Sequence, residues 1–332
     1  SEITGYGPDS GNTIQQALYN SGYMPGWATY QVAPTANGCP GTANSVIVTV
    51  DPVPVVTLTP CFDTITTINA QPIRLRGNIP LGSTFSGPGV DPLTNTFYPA
   101  FTGAGIYQIQ CTYTNEFGCL DSASLSIHIA DPVSHICGDT MTDIRDNQPY
   151  PTVQIGTQCW IATNLNFGNS ISSSDMQRDN CISEKYCYND NPANCSSFGG
   201  LYQWDEMMHY TSDNGGQGLC PPGWHIPTET NWLTLFNVLI SSGFAGNALK
   251  YNGYSGFNAL MTGIRFHNNV WKFPVSDPTL QSILYWSSTA WGVNKAWAHG
   301  MNEVMVDTEY TPSVSFYPSL RSNAFAIRCL KD

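Results

Sequence analysis

The chain has 332 residues, which suggests two or three domains, and only 11% of them are charged. Gly, Pro, Thr, Ser and Asn take the place of charged residues, a composition typical of β-rich, turn-rich secreted proteins rather than helical cytosolic enzymes. The net charge of −12 argues against nucleic acid as a partner, because so acidic a chain has no basic stripe to neutralise phosphates.

The eleven cysteines lack the paired CxxC spacing of zinc sites and therefore predict disulfides formed in an oxidising compartment. Their odd number leaves at least one thiol free or paired between chains. No stretch is apolar and long enough to cross a membrane. The start Ser1-Glu-Ile-Thr-Gly5 lacks the basic and apolar regions of a signal peptide, so we expect a processed or partial form of an exported protein.

The first elements in the chain are strands. Residues 27–32 and 45–51 alternate in polarity around a turn that contains Asn37-Gly38, the pattern of a β-hairpin. A second pair of runs, 106–114 and 122–129, surrounds the turn Asn115–Cys119. Asp-Pro-Val follows each pair, so the chain has an internal repeat of about eighty residues, which suits a small immunoglobulin-like sandwich.

These repeats resemble the PKD-like/Ig-like repeats of large surface proteins in Bacteroidota. The resemblance lies in Ala33–Thr42, in Gly82–Val90 and in the turn Asn115–Cys119. For the second copy it implies a disulfide between Cys61 and Cys119. The first copy lacks the opening strands that normally bring the partner of Cys39. Either the chain is cut from a longer array, or a neighbour supplies the missing strand, since an incomplete sandwich exposes an edge that strand addition covers.

After residue 131 tryptophans become frequent and helices are predicted. The apolar spacing of 200–210 predicts one helix, with Leu201, Trp204 and Met207 on one face. A second helix is predicted to run from an N-cap at Thr228 to Ile240. The strands predicted after it lie around 259–265, 270–273, 282–288, 296–301 and 324–329.

This half of the chain, about residues 135–332, resembles the Fibrobacter succinogenes major paralogous domain of surface proteins in Bacteroidota and Fibrobacterota. The matching stretches are Asp143–Leu165, Glu184–Asn189, Asn194-Cys195, Gly199–Met208, Cys220-Pro-Pro-Gly-Trp-His-Ile-Pro227, Tyr285–Thr289 and the closing Ile327–Asp332. The resemblance implies a C-type-lectin-like fold, distantly related to the formylglycine-generating enzyme fold, and no established activity. One departure is Arg145, which stands in a turn that the family fills with Asp-x-Asp-Gly-Asn and weakens the case for a calcium loop there.

The same resemblance implies three disulfides in this module. They are Cys220 with Cys329, Cys187 with Cys195, and Cys137 with Cys159. Cys39, Cys111 and Cys181 are left without clear partners.

The calcium motifs of sugar-binding lectins are absent, but aromatic and acidic residues in two later stretches are candidates for a ligand surface. Its candidates are Trp291, Trp297, His299, Asp307, Glu309 and Tyr310. The alternative is that the tryptophans are core and the acids are solvated. Asp190, Asp205 and Glu206 join Asp307 and Glu309 as oxygen donors for a structural calcium, but without EF-hand spacing, so the metal remains unknown.

Catalysis is not expected. The related enzyme fold uses reactive cysteines, but a disulfide-bonded Cys329 is no nucleophile, and Cys181 lies near Asp179, which disfavours a thiolate. No nucleophile elbow, phosphate loop or dinucleotide fingerprint is present. Three Asp-Ser/Thr triplets fit the O-glycosylation pattern of Bacteroidota surface proteins, with acceptors at Thr64, Ser122 and Thr140.

The sequence thus predicts a mostly β protein: a partial Ig-like/PKD-like domain at 1–51, a second at 52–131 and a C-type-lectin-like α+β module at 132–332. We expect a non-catalytic, extracellular cell-surface glycoprotein of Bacteroidota without a cofactor, either a filament subunit or the adhesive tip of a repetitive stalk. It associates through the incomplete sandwich or continues in a longer chain. The alternative is a carbohydrate-binding module with a glycan partner.

Overall fold

The computed structural model describes residues 2–131, 135–240, 245–260, 263–272, 282–306 and 309–332. Within these ranges, the side chains of residues 272, 282, 302–306 and 309–313 are outside the description. Strands hold 39% of the chain and helices 11%, which confirms the mostly β fold. No described helix is long and apolar enough to span a membrane.

Short strands dominate the first 131 residues, and only four of them reach seven residues. They are β1 Ile3–Thr4, β2 Tyr19–Asn20, β3 Gly26–Val32, β4 Thr35–Ala36, β5 Cys39–Pro40, β6 Asn44–Val50, β7 Thr57–Leu58, β8 Ile65–Thr67, β9 Ile73–Arg74, β10 Asn78–Ile79, β11 Thr84–Ser86, β12 Val90–Asp91, β13 Thr96–Phe97, β14 Gly105–Thr114 and β15 Leu120–Ala130. A 3₁₀ helix covers Pro99–Phe101.

In the described residues after 134, strands alternate with four short α-helices. The strands are β16 Thr140–Thr142, β17 Pro149–Ile155, β18 Gln158–Ile161, β19 Asn169–Ile171, β20 Glu184–Tyr186, β21 Tyr202–Gln203, β22 Trp224–His225, β23 Ile264–Arg265, β24 Trp271–Lys272, β25 Ser282–Ala290, β26 Lys295–Val306, β27 Glu309–Leu320, β28 Ala324–Phe325 and β29 Leu330–Lys331. The helices are α1 Pro192–Phe198, α2 Trp204–Met207, α3 Glu229–Ile240 and α4 Ala245–Leu249, and a 3₁₀ helix covers Tyr188–Asp190.

The contacts divide the chain into two compact units. Unit 1 comprises 1–60, 75–96 and 108–126, and unit 2 comprises 61–74, 97–107 and 127–332. The three-domain division expected at residues 51 and 131 stays a prediction.

Unit 1 contains the predicted N-terminal hairpin. β3 pairs antiparallel with β6 in one unbroken register from Gly26 with Val50 to Val32 with Asn44. The turn at its tip places Asn37 at φ 53° and Gly38 at φ 80°. Asn and Gly tolerate this left-handed region, which explains why the two residues close a tight hairpin.

Unit 2 is built on a five-stranded sheet in the order β16-β17-β18-β29-β22 and a three-stranded sheet in the order β25-β26-β27. Two buried clusters fill it. Trp204, Trp224 and Trp286 belong to one, and Trp160 and Trp232 belong to the other. The last strand of the chain lies inside the five-stranded sheet, since β29 pairs with both β18 and β22.

The two helices predicted in this half differ in outcome. α3 matches its prediction: the Asn231 backbone N–H donates to Thr228 Oγ1 over 3.2 Å, and Thr228 N–H donates back to Asn231 Oδ1 over 2.8 Å, a reciprocal N-cap. The helix predicted over 200–210 is wrong in extent. Tyr202–Gln203 form a strand, and α2 covers only Trp204–Met207.

Candidate functional site

The most unusual surface of unit 1 is the hairpin formed by β3 and β6. The whole stretch 26–50 contains no charged residue, and neither strand contains a proline. Trp27 and Ile47 are each 67% exposed, and Val46 is 47% exposed. Isolated exposed apolar side chains are common on proteins, but Trp27 and Ile47 share one face of the hairpin, and apolar side chains grouped in this way mark an interaction surface.

Residues 11–18 lie against one face of the hairpin, and the other face is open to solvent. Residues directly opposite in an antiparallel pair share a face, so Ala28, Tyr30 and Val32 lie on the same side as Val48, Val46 and Asn44. Residues 11–18 lie beside this side and form with it an open apolar groove of about 400 Å³, lined by Ile14, Leu18, Tyr30, Val32, Val46 and Val48. The opposite side carries Trp27 and Ile47 and is open.

Gln16 holds the covering segment in place. The Tyr30 hydroxyl donates to Gln16 Oε1 over 2.9 Å, and the Gly7 N–H donates to the same oxygen over 3.0 Å. Gln16 Nε2 donates to the Gly7 carbonyl over 2.8 Å. These hydrogen bonds hold residues 11–18 beside the hairpin only weakly, since each contributes only about 1 kcal/mol.

Unit 2 differs from unit 1 in that buried polar side chains form hydrogen bonds that hold its segments together. Arg328 is fully buried and donates to the carbonyls of Ile161, Phe257 and Asn258 over 2.7 to 3.0 Å. Burial lowers its pKa. The guanidinium thus ties the end of β18 and the loop at 257–258 to the segment beside Cys329.

A family model described as Fibrobacter succinogenes major domain matches residues 153–331, more than half of the chain. The chain belongs to this family. The match confirms the resemblance seen in the motifs of the C-terminal half, whereas the repeats expected before it stay a prediction. Comparison with the curated proteins and with the solved structures found no match.

Four disulfides join cysteines within unit 2. Three are the pairs that the family resemblance implied: Cys137–Cys159, Cys187–Cys195 and Cys220–Cys329. Such a set is characteristic of proteins that fold outside the reducing cytosol.

The fourth disulfide corrects a prediction. Cys61 is joined to Cys181, and the expected pair of Cys61 with Cys119 is wrong, because Cys119 carries a free thiol. The reason lies two residues away at Asp63, whose carboxylate accepts from Arg145 and from Gln217 over 3.1 Å each. These bonds hold the segment after Cys61 in unit 2. Cys39 and Cys111 also remain free, the first exposed and the second buried.

Arg145, noted as a departure from the family pattern, has a structural role. Its guanidinium donates to both carboxylate oxygens of Asp143, to Asp63 and to the Leu219 carbonyl, and lies 3.9 Å from the centre of the Phe167 ring. Burial lowers its pKa, but the two carboxylates raise it by more. A side-chain cation therefore neutralises carboxylates in the turn where a calcium loop was considered.

Of the residues predicted to form a ligand surface, Trp291 is exposed, Trp297 is half-buried and His299 is buried. Trp291 is 49% exposed, with Lys295 Nζ 5.7 Å from its ring centre, and Trp297 is half-buried. His299 is instead a core residue: it is 1% exposed, stacks on Trp232 and bonds through Nε2 to Glu229 over 2.7 Å. Asp307 lies outside the described residues, and so do the side chains of Glu309 and Tyr310.

The oxygen donors considered for calcium are dispersed or already bonded. The described part of the chain contains no group of three or more His, Cys, Asp or Glu residues that could hold a metal ion. Asp190 accepts from Ser173 N–H and Oγ, and Asp205 contacts Arg321. Glu206 is 1% exposed and accepts from the Glu184 N–H over 2.8 Å and the Tyr210 hydroxyl over 2.9 Å.

The three candidate O-glycosylation acceptors lie in different settings. Thr140 and Ser122 are exposed, whereas Thr64 is half-buried. Ser122 Oγ accepts from Gln110 Nε2 over 3.1 Å. Glycosylation of these residues stays a prediction.

Proposed function

We propose that this protein is a non-catalytic structural component of an extracellular, cell-surface assembly, a filament subunit or the adhesive tip of a stalk, and that its copies associate through the hairpin of β3 and β6. The observation that carries the proposal is the hairpin's unprotected edge. The disulfides and the scarcity of charged residues also agree with an extracellular structural role, but they do not point to the hairpin.

Edge strands usually carry features that prevent pairing with other chains. Proteins use charged side chains, prolines, bulges or very short strands for this purpose. β3 and β6 have seven residues each, contain none of these features and keep an unbroken register. Within the described residues neither strand pairs with anything but the other, so both outer edges are open.

The side chains of the hairpin favour the same conclusion. Val46, Ile47 and Val48 are β-branched, suit a pleated sheet and are all exposed. A two-stranded hairpin is only marginally stable in water, and a third strand adds both hydrogen bonds and apolar burial. A second copy of this chain offers an equally uncharged strand as that partner.

The test is Ile47→Lys, which adds the charge that protected edges carry at a position exposed enough to tolerate it. Sedimentation velocity and electron microscopy of the oxidised protein compare it with the natural chain and with Leu120→Lys, a matched change at a residue that is 63% exposed. We expect the natural chain and Leu120→Lys to associate and Ile47→Lys to associate about tenfold or more weakly. A natural chain that stays monomeric at every concentration contradicts the proposal.

A further inference from the structure

A groove in unit 2 has the properties of an acceptor for an added β-strand. It has a volume of about 510 Å³, and its lining includes Asp139–Thr142, Thr67 and Asn69. Pro221, Pro222 and Trp224 contribute buried apolar side chains to its lining.

The wall formed by β16 is the edge of a strand. Consecutive residues of a strand point to opposite faces of the sheet, so a groove that touches 139, 140, 141 and 142 in turn must run along the strand's edge. β16 is the last strand of its five-stranded sheet and pairs with β17 on its other side.

The hydrogen-bond pattern fixes which backbone groups face the groove. Thr152 N–H donates to the Asp139 carbonyl and Asp143 N–H donates to the Gln148 carbonyl, so the odd-numbered residues bond with β17. Thr140 and Thr142 lie opposite Pro151 and Pro149, which have no N–H to donate. The N–H and C=O groups of Thr140 and Thr142 therefore point to the open edge, spaced as a strand partner requires.

Two of the three charged residues that line the groove, Lys331 and Asp332, are already engaged. Lys331 Nζ donates to the His135 carbonyl over 2.8 Å, and Asp332 bonds His225 Nδ1 over 2.6 Å. Burial, and then the charge of Lys331, lowers the pKa of His135, against a smaller opposing effect of the Asp139 carboxylate. Asp139 is the remaining charged residue of the described lining, and an incoming strand with neutral side chains brings no like charge to it.

We propose that this groove accepts the β6 strand of a second copy, by hydrogen bonds to Thr140 and Thr142. The inference rests on the proposed function, since it supplies the partner for the unprotected hairpin. β6 fits because it is extended, free on its outer edge and uncharged from Asn44 to Val50. Donor and acceptor are different surfaces, so each copy can use both, and a contact that does not close on itself gives an open, head-to-tail filament.

The test removes the acceptor without touching the donor. Thr142→Pro deletes an N–H that β17 does not use, and proline is tolerated on an edge strand in that situation. Thr142→Val keeps the N–H and is the matched control. Circular dichroism checks that both fold, and Thr142→Arg blocks the groove by bulk and charge if the proline variant fails to fold. We expect Thr142→Val to assemble and Thr142→Pro or Thr142→Arg to remain monomeric.

Mixing the two defective variants tests whether the β6 strand of one copy binds the groove of another. Ile47→Lys lacks the donor and the Thr142 variant lacks the acceptor, so the mixture contains one intact donor and one intact acceptor. We expect two-chain complexes that do not grow further. If Thr142→Pro and Thr142→Arg assemble as the natural chain does while Ile47→Lys does not, the groove is not the acceptor although the hairpin function stands. A mixture that stays monomeric also overturns the groove, and a monomeric natural chain overturns both proposals.

Discussion

Replacing Glu206 with glutamine changes how the stability of the protein depends on pH. Burial, only partly offset by hydrogen bonds from Glu184 N–H and Tyr210, raises the pKa of Glu206 from 4.5 to about 7, with Glu184 and Asp179 adding repulsion. The folded state therefore keeps a proton that the unfolded chain has already lost between pH 4.5 and 7. Stability contributed by this group is full below pH 4.5 and is lost as the pH rises through 7.

The size of the effect follows from the shift. A displacement of about 2.5 pKa units at about 1.4 kcal/mol each amounts to about 3 kcal/mol at pH 8. Glutamine stays neutral and can keep both hydrogen bonds, accepting from Glu184 N–H and donating to the Tyr210 oxygen. We expect Glu206→Gln to match the natural protein near pH 4.5 and to exceed its free energy of unfolding by up to about 3 kcal/mol at pH 8.

The assay is urea denaturation of both proteins, with disulfides intact, across this pH range. Asp205→Asn is the matched control, since it removes a charge from the neighbouring residue, whose side chain is 50% exposed. We expect it to change the unfolding free energy by less than about 0.5 kcal/mol at every pH. An equal pH slope for Glu206→Gln and the natural protein refutes the reasoning.

Three further predictions follow from the core and the cysteines. Arg145→Met leaves the carboxylate of Asp63 without its cation and should cost about 3 to 5 kcal/mol in denaturant unfolding; a loss below about 1 kcal/mol contradicts the buried pairing. Removing the Cys220–Cys329 disulfide with two serines opens a loop of 109 residues and should cost about 4 to 5 kcal/mol, which thermal or urea unfolding measures. In the native protein a thiol reagent should modify Cys39, which is exposed, as peptide mass spectrometry would show; an unreactive Cys39 is inconsistent with its position.

Local patterns in the sequence predicted the elements that depend on local forces. The alternating runs around Asn37-Gly38 gave β3 and β6 to within one or two residues, and the cap at Thr228 gave the start of α3. The spacing at 200–210 misled because the stretch is buried on several sides, so apolar residues at helical intervals did not require a helix.

Long-range packing could not be read in the same way. The Cys61–Cys181 disulfide spans 120 residues and the contact of Asp63 with Arg145 spans 82, and neither has a local signal. His299 looked accessible because nothing in its own strand shows that Trp232 of α3 covers it.

One strand was missed for a physical reason. β27 contains two prolines, which argue against a central strand. It lies at the end of its three-stranded sheet, where a proline's missing N–H can face away from the neighbour. The edge groove beside β16 was also missed, because its signal is the pairing of Pro149 and Pro151 with Thr142 and Thr140, which only the register shows.

Hydrogen–deuterium exchange of the backbone amides in 44–50 tests the assembly proposal most directly. It is measured on the assembled natural chain and on the Ile47→Lys protein, with residues 120–126 of β15 as an internal reference. Strand addition pairs the outer edge of β6, so exchange in 44–50 should slow markedly in the assembled protein while the reference stays unchanged. Equal exchange of 44–50 in assembled and monomeric protein contradicts assembly through the hairpin.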